Sequence, residues 1–296
     1  MKRVYKFLLA AMFTVAASVA SAQDRPVVVT VNYPLHYIAE RLLEDAAEVV
    51  FPVPQEVDPS FWRPSIADIS MIQSADLILL NGAGFATWVD RVSLPRSKLV
   101  NTSVVIEDQF IVTESITHSH GDGGEHSHEG LAAYTWLDPL LAIAQAEAIA
   151  GAVSAQGIAP ADDVAEQLNT LRADFLGLDA DARAVTEGLA GVTFIATHPR
   201  YQYFAKRYGL KLTSLEWGAG TMPDDEQVAD LKKLIEQTGA SVLIWEAAPP
   251  AGAFEIATEL GLQNIVFAPL AHGTPGHSYL DAYSQALAAL SEVRAE

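Results

Sequence analysis

Four of the chain's eight histidines fall within the eleven-residue run His118-Ser119-His120-Gly121-Asp122-Gly123-Gly124-Glu125-His126-Ser127-His128. Imidazole is the commonest protein ligand for borderline transition metals, and carboxylates can complete the shell. The alternation with Ser and Gly leaves no apolar face to bury. The run therefore reads as a metal-capturing loop, with a solvated linker as the alternative. The chain has no Cys, which removes thiolate ligands, Cys nucleophiles and disulfides together. Any metal must be held by His, Asp, Glu, Tyr or water.

The remaining histidines are spread out. His36 lies one turn into a helical pattern, where a surface or core role competes with ligation. His272 and His277 flank the turn-rich Gly273-Thr274-Pro275-Gly276, either at the mouth of a cleft or in a solvated loop. His198 ends a strand pattern and precedes Pro199, and Glu246 ends another. Ligands in open α/β sheets bind at such carboxyl ends. A metal-dependent hydrolase needs three fixed ligands, an open position and a base. The chain has neither His-Glu-x-x-His nor Gly-x-Ser-x-Gly, so no enzyme is expected.

These groups must be positioned by a scaffold, and the sequence outlines one. Lys2, Arg3 and Lys6, the apolar Phe7–Val19 and the small residues Ala20-Ser21-Ala22 form a secretory signal over residues 1–22. Its apolar stretch is too short for a membrane span, and no Cys follows it for a lipid anchor. The expectation is a periplasmic protein with no stable membrane insertion after cleavage. The mature chain carries 15 basic against 37 acidic side chains, a formal charge of −22, so nucleic acid is not an expected partner.

Short apolar or β-branched runs alternate with helical patterns. Strands are expected over 26–32, 48–53, 76–80 and 99–105, then 192–197, 211–216, 241–246 and 264–267. Between the two sets, Val164, Leu168, Leu171, Phe175, Leu178, Ala182, Val185 and Leu189 recur at spacings of three and four, which predicts one long helix from 161 to 189. The fold class is α/β: two lobes, each a mainly parallel sheet with flanking helices, joined by that helix. The expected division is an N-terminal lobe over 23–159 including the His-rich loop 118–128, a connecting helix over 160–190, and a C-terminal lobe over 191–296.

Several segments carry a resemblance over nearly the whole mature chain. They are Val31-Asn32-Tyr33-Pro34-Leu35, Asp58-Pro59-Ser60 with Pro64-Ser65, Ser74-Ala75-Asp76-Leu77, Asn81-Gly82-Ala83-Gly84, Trp136-Leu137-Asp138-Pro139, Thr197-His198-Pro199, and Tyr203-Phe204-Ala205 with Tyr208-Gly209-Leu210. In this order they resemble the metal-specific, zinc and manganese periplasmic substrate-binding proteins of ABC transporters. A His-rich loop ahead of the second family histidine is similar to that of the zinc members. The resemblance implies capture of a divalent metal, Zn2+ foremost and Mn2+ less so, for an ABC permease. It also places the family ligands on Ser60, Tyr134, His198, Glu246 and Ala268, so that His198 alone keeps the family histidine.

With one His and one Glu at these positions, three arrangements stay open. His118, His120, His126 or His128 folds over the cleft beside His198, at a modest loop-closure cost. Alternatively the cleft recruits Tyr134, His36, His272 or His277. Otherwise the cleft is degenerate for metal, and the chain is a periplasmic zinc buffer or metallochaperone working through its loop.

Overall fold

The computed structural model describes residues 25–113 and 130–294. The His-rich run and the signal segment expected at 1–22 therefore lie outside the described residues.

The first sheet is built from β1 (Val27–Thr30), β2 (Glu48–Val50), β3 (Leu77–Leu80) and β4 (Leu99–Asn101), in the order β2-β1-β3-β4 and parallel throughout. The β-branched Val28 and Val29 and the aliphatic Leu77, Ile78 and Leu79 are fully buried, as parallel strands covered on both faces require. Helix α1 (Tyr33–Leu43) follows β1. It starts at Asn32, whose side chain accepts from the Leu35 amide, and Pro34 occupies its first turn. Helix α2 (Ile66–Ser74) begins with a Ser65–Asp68 capping box. After β4 the chain runs through a 3-10 turn (Val104–Gln109) where strand was expected up to 105.

Two short strands, β5 (Val112–Thr113) and β6 (Gly130–Leu131), then pair antiparallel and bring the ends of the intervening segment together. Helix α3 (Pro139–Ala155) starts at Asp138, and the 27-residue α4 (Ala161–Glu187) follows. The predicted stripe on α4 is the buried one: Val164, Leu171, Phe175, Leu178 and Ala182 all face the interior.

The second sheet contains β7 (Thr193–Ala196), β8 (Lys211–Ser214), β9 (Val242–Trp245) and β10 (Gln263–Val266). Helices α5 (Gln202–Tyr208), α6 (Asp225–Thr238), α7 (Ala251–Glu259) and α8 (Tyr279–Ser291) accompany it. Its order, β8-β7-β9-β10, repeats that of the first sheet, again parallel throughout. Helix α7 starts at Ala251, directly after Pro250 at its N-cap.

One hydrophobic core runs through both lobes, from Val28 and Leu77 by way of Phe175 to Phe194, Phe267 and Tyr283. Polar bonds reinforce the junction: Trp136 Nε1 donates to the Pro269 carbonyl at 2.8 Å, Tyr279 Oη to that of Trp136 at 2.9 Å, and the Tyr33 amide to that of Ala271 at 2.9 Å. Among the described residues no helix is long and apolar enough to cross a membrane.

Candidate functional site

In each sheet the strand order reverses direction beside its first strand, and this topological switch point is where open α/β sheets place ligands. In the second sheet the switch lies between β7 and β9. The residues leaving these strands are His198 and Arg200 after β7 and Glu246 after β9. Asp58 and Ser60 reach the same place from the loop after β2, and Tyr134 from the turn before α3.

At the centre is the guanidinium of Arg200. Its Nη2 lies 2.7 Å from Asp58 Oδ2, and its Nε donates to Glu246 Oε2 at 3.1 Å. The Tyr134 ring lies 4.6 Å from its Cζ, and the exposed ring of Phe61 stands 5.8 Å away on the outer side. Burial works against the charge on Arg200, yet Tyr134, Asp58 and Glu246 together push its pKa upward. Asp58 is held in turn by Ser60, whose amide and hydroxyl both donate to Oδ1, at 2.8 and 2.6 Å.

His198 Nδ1 sits 2.9 Å from the Trp217 carbonyl oxygen, an acceptor only, so Nδ1 carries the proton and Nε2 keeps its lone pair. A carbonyl fixing one ring nitrogen while the other stays free is the arrangement found behind metal-binding imidazoles. Glu246 Oε1 is 4.0 Å from Nδ1, too far for a hydrogen bond. Burial, followed by the Arg200 charge, lowers the His198 pKa against the opposing pull of Glu246, so the ring stays neutral.

Beside this cluster opens a cavity of about 380 Å3, bordered by Asp58, Tyr134, Glu246, Ala268 and His272. Its far wall is strained: Leu270 is buried at φ +59°, a region an L side chain rarely adopts, and is held by the flanking bonds to the Pro269 and Ala271 carbonyls. A larger hollow of about 480 Å3 near Phe110 and Gln202 contains one ionisable side chain, Lys206, and no donor set.

The residues singled out in the sequence are thus distributed unequally. His198 and Glu246 meet at the switch point. Tyr134 and Ala268 border the cavity, and Ser60 stands behind Asp58. The Tyr134 hydroxyl is buried beside Ser60 with no well-formed hydrogen bond among the described residues, and burial raises its pKa far enough to keep the phenol protonated. It is therefore a poor anionic donor. His272 borders the cavity, with Nε2 fixed 2.7 Å from the Val57 carbonyl oxygen.

His36 and His277 lie away from the cleft. His36 pairs with Glu40 one turn along α1 at 3.3 Å and packs on Phe51, which separates it from His272. His277 is exposed and bonded to Gln285. His118, His120, His126 and His128 lie outside the described residues. Among the described residues no three His, Asp or Glu side chains converge so as to hold a metal ion, and Arg200 is bonded to both carboxylates of the cluster. Sequence reasoning passed over Arg200. The available signal was a cation two residues beyond His198, at a strand end in a chain with few basic residues.

Residues 28–293 match the family model described as zinc-uptake complex component A periplasmic, ZnuA. The chain is similar to the high-affinity zinc uptake system protein ZnuA of Bacillus subtilis (strain 168), at 28% identity over 97% of this chain and 96% of the relative. It is similar at 28% identity to the zinc-binding lipoprotein AdcA of Streptococcus pneumoniae serotype 4, where the match covers 99% of this chain but spans 61% of that longer protein. Two solved structures share the fold. The metal-dependent lipoprotein YcdH of Bacillus subtilis superposes with a TM-score of 0.76 at 24% identity, covering 90% of this chain and 98% of the other. Zn(II)-bound AdcA of Streptococcus pneumoniae superposes with a TM-score of 0.73 at 22% identity, covering 90% and 57%.

Proposed function

The chain belongs to the zinc-uptake complex component A periplasmic family, and from that premise we propose that it captures zinc outside the cytoplasm and delivers it to an ABC permease. Zn2+ is the cargo, and Mn2+ is a weaker competitor for the same oxygen and nitrogen donors. The observation that carries this reading is His198, neutral, with Nδ1 fixed on the Trp217 carbonyl and Nε2 free.

Glu246 and Asp58 supply oxygen donors beside it. His118, His120, His126 and His128 add imidazoles from the segment whose ends β5 and β6 hold together, just before Tyr134. Residues 1–22 serve as a cleaved leader. With no Cys available, this chain takes no lipid anchor through a thioether. The protein makes and breaks no covalent bond: loading and release are exchanges of ligands, and release accompanies docking on the permease. A periplasmic zinc buffer or metallochaperone acting through the His-rich segment alone is the second reading. The lack of three convergent donors among the described residues favours it.

Zinc calorimetry on metal-stripped mature protein tests both, run beside His198→Ala and a deletion of residues 118–128. Loss of one tight site in His198→Ala supports the receptor. A silent His198→Ala, with all binding lost on deletion, supports the buffer.

A further inference from the structure

We infer that the cavity beside the cluster takes a small organic monocation: a protonated amine bonded to Glu246 Oε1, with an apolar body lying along Ala247, Ala268 and Leu270. The inference goes beyond the zinc reading and needs no metal. The oxygens of the cluster are unequally committed. Both Asp58 oxygens are engaged: Oδ1 accepts from the Ser60 amide and hydroxyl, and Oδ2 from Arg200. Glu246 gives Oε2 to Arg200, while Oε1, 4.0 Å from His198 Nδ1, makes no hydrogen bond among the described residues. The Glu246 side chain is 6% exposed, so bulk water serves that oxygen poorly. A nearly buried carboxylate oxygen left open on a cavity wall calls for a donor.

The sign of that donor follows from the charges present. Asp58 and Glu246 bring two negative charges against the single positive charge of Arg200, and burial keeps His198 neutral. One negative charge is left over. Among the described residues no Lys or Arg lines the cavity, and Glu56 stands exposed on its rim, so the field at the opening also favours a cation.

One open oxygen suits one ammonium group, whereas no three His, Asp or Glu side chains converge among the described residues as a metal would require. The rest of the wall sets the body of the ligand. Val57, Pro59, Ala247, Ala268, Pro269 and Leu270 present aliphatic side chains. At about 380 Å3 the cavity lies within the range of roughly 300–1,000 Å3 that small organic ligands occupy. The ion pair with Glu246 offsets the desolvation of the ammonium, and burial of the apolar body adds to it.

The test is calorimetry on the metal-stripped full mature chain in excess chelator, with three probes of one shape: tryptamine, its neutral analogue indole-3-ethanol and its anionic analogue indole-3-acetate. Tryptamine should bind at one site, at least tenfold tighter than either analogue. No saturable tryptamine binding, or equal binding of the alcohol, overturns the inference. Glu246→Gln removes the charge and should weaken tryptamine at least tenfold; unchanged affinity counts against the site.

Because that change also touches Arg200, a second variant leaves the cluster intact. Ala268→Phe fills the cavity and should abolish tryptamine binding, with native circular dichroism required. Binding that survives in folded Ala268→Phe places the amine elsewhere and overturns the inference. Excess chelator throughout separates these results from the zinc reading, which titration with metal decides.

Discussion

The two sheets share one strand order, and the residues leaving their central strands occupy matching places. Asn32 and His198 each follow the first strand of their sheet by two residues, and Asn81 and Glu246 each follow the third strand by one. In the N-terminal lobe the pair is neutral and sealed. Asn32 Nδ2 donates to Asn81 Oδ1 at 3.2 Å, Asn81 Nδ2 donates to the Ala133 carbonyl at 2.9 Å, and Gln145 joins them to Thr102 and Thr135. Both asparagines are fully buried. Gly82 tightens the corner: it has φ +73°, and a Cβ there would come within 2.1 Å of Ser103 Oγ.

In the C-terminal lobe the matching pair is titratable and stands 4.0 Å apart, with Glu246 joined by a guanidinium to Asp58 beside a cavity. The same topology thus makes a fastener where every amide is satisfied, and a site where charge is held in reserve.

The comparison breaks hardest at Glu246. Glu246→Leu leaves Arg200 buried with Asp58 alone, and the expected cost is about 3–5 kcal/mol in urea unfolding. A loss below about 1 kcal/mol would mean that Asp58 suffices to compensate the charge. Asn81→Asp attempts the reverse conversion, placing a carboxylate in the sealed corner. The expected loss is about 1–3 kcal/mol at neutral pH, since the donation to Ala133 disappears and its carbonyl is left unpaired.

Burial raises the folded pKa of that Asp above its unfolded value near 4. The penalty from its charge is therefore full above the folded pKa and fades as pH falls toward the unfolded one. Urea midpoints at pH 7 and pH 5 check the sign; equal penalties would show that the corner admits water. The mildest change is Tyr134→Phe. It removes a hydroxyl with no well-formed partner and keeps the ring over Arg200. Stability should hold or rise, within about 1 kcal/mol. A larger loss in thermal melting would reveal that the Ser60 contact carries weight.

The scaffold was largely legible because its signals are local. Val27-Val28-Val29 and the three-and-four spacing on α4 each declare an element within a few residues. The pairing of β5 with β6 was invisible because two-residue strands have no periodicity. Strand ends read from hydrophobicity ran long, since apolar residues continue past the last ladder bond, as at Phe51 and Val53 after β2.

The candidate site was half legible. His198 and Glu246 were found from strand ends, because ligand chemistry names donors. Arg200 is not a donor to a metal, and its role depends on Asp58, 142 residues away in the chain. Such a pairing exists only in space. The scattered His36 and His277 shared the chemistry of ligands without sharing the place.

The continuous core through α4 governs how the molecule comes apart. Phe175 packs against Tyr279 of the last helix, and Leu171 and Leu178 belong to the same buried cluster as residues of both sheets. Cutting the chain between the lobes would expose that face of α4 to water, while a smaller cluster around Ile195, Trp217, Leu231 and Leu243 lies wholly within the C-terminal lobe. The shared face of α4 therefore couples the stability of the two lobes. A cut between the lobes removes from each the packing that Leu171, Phe175 and Leu178 supply to both.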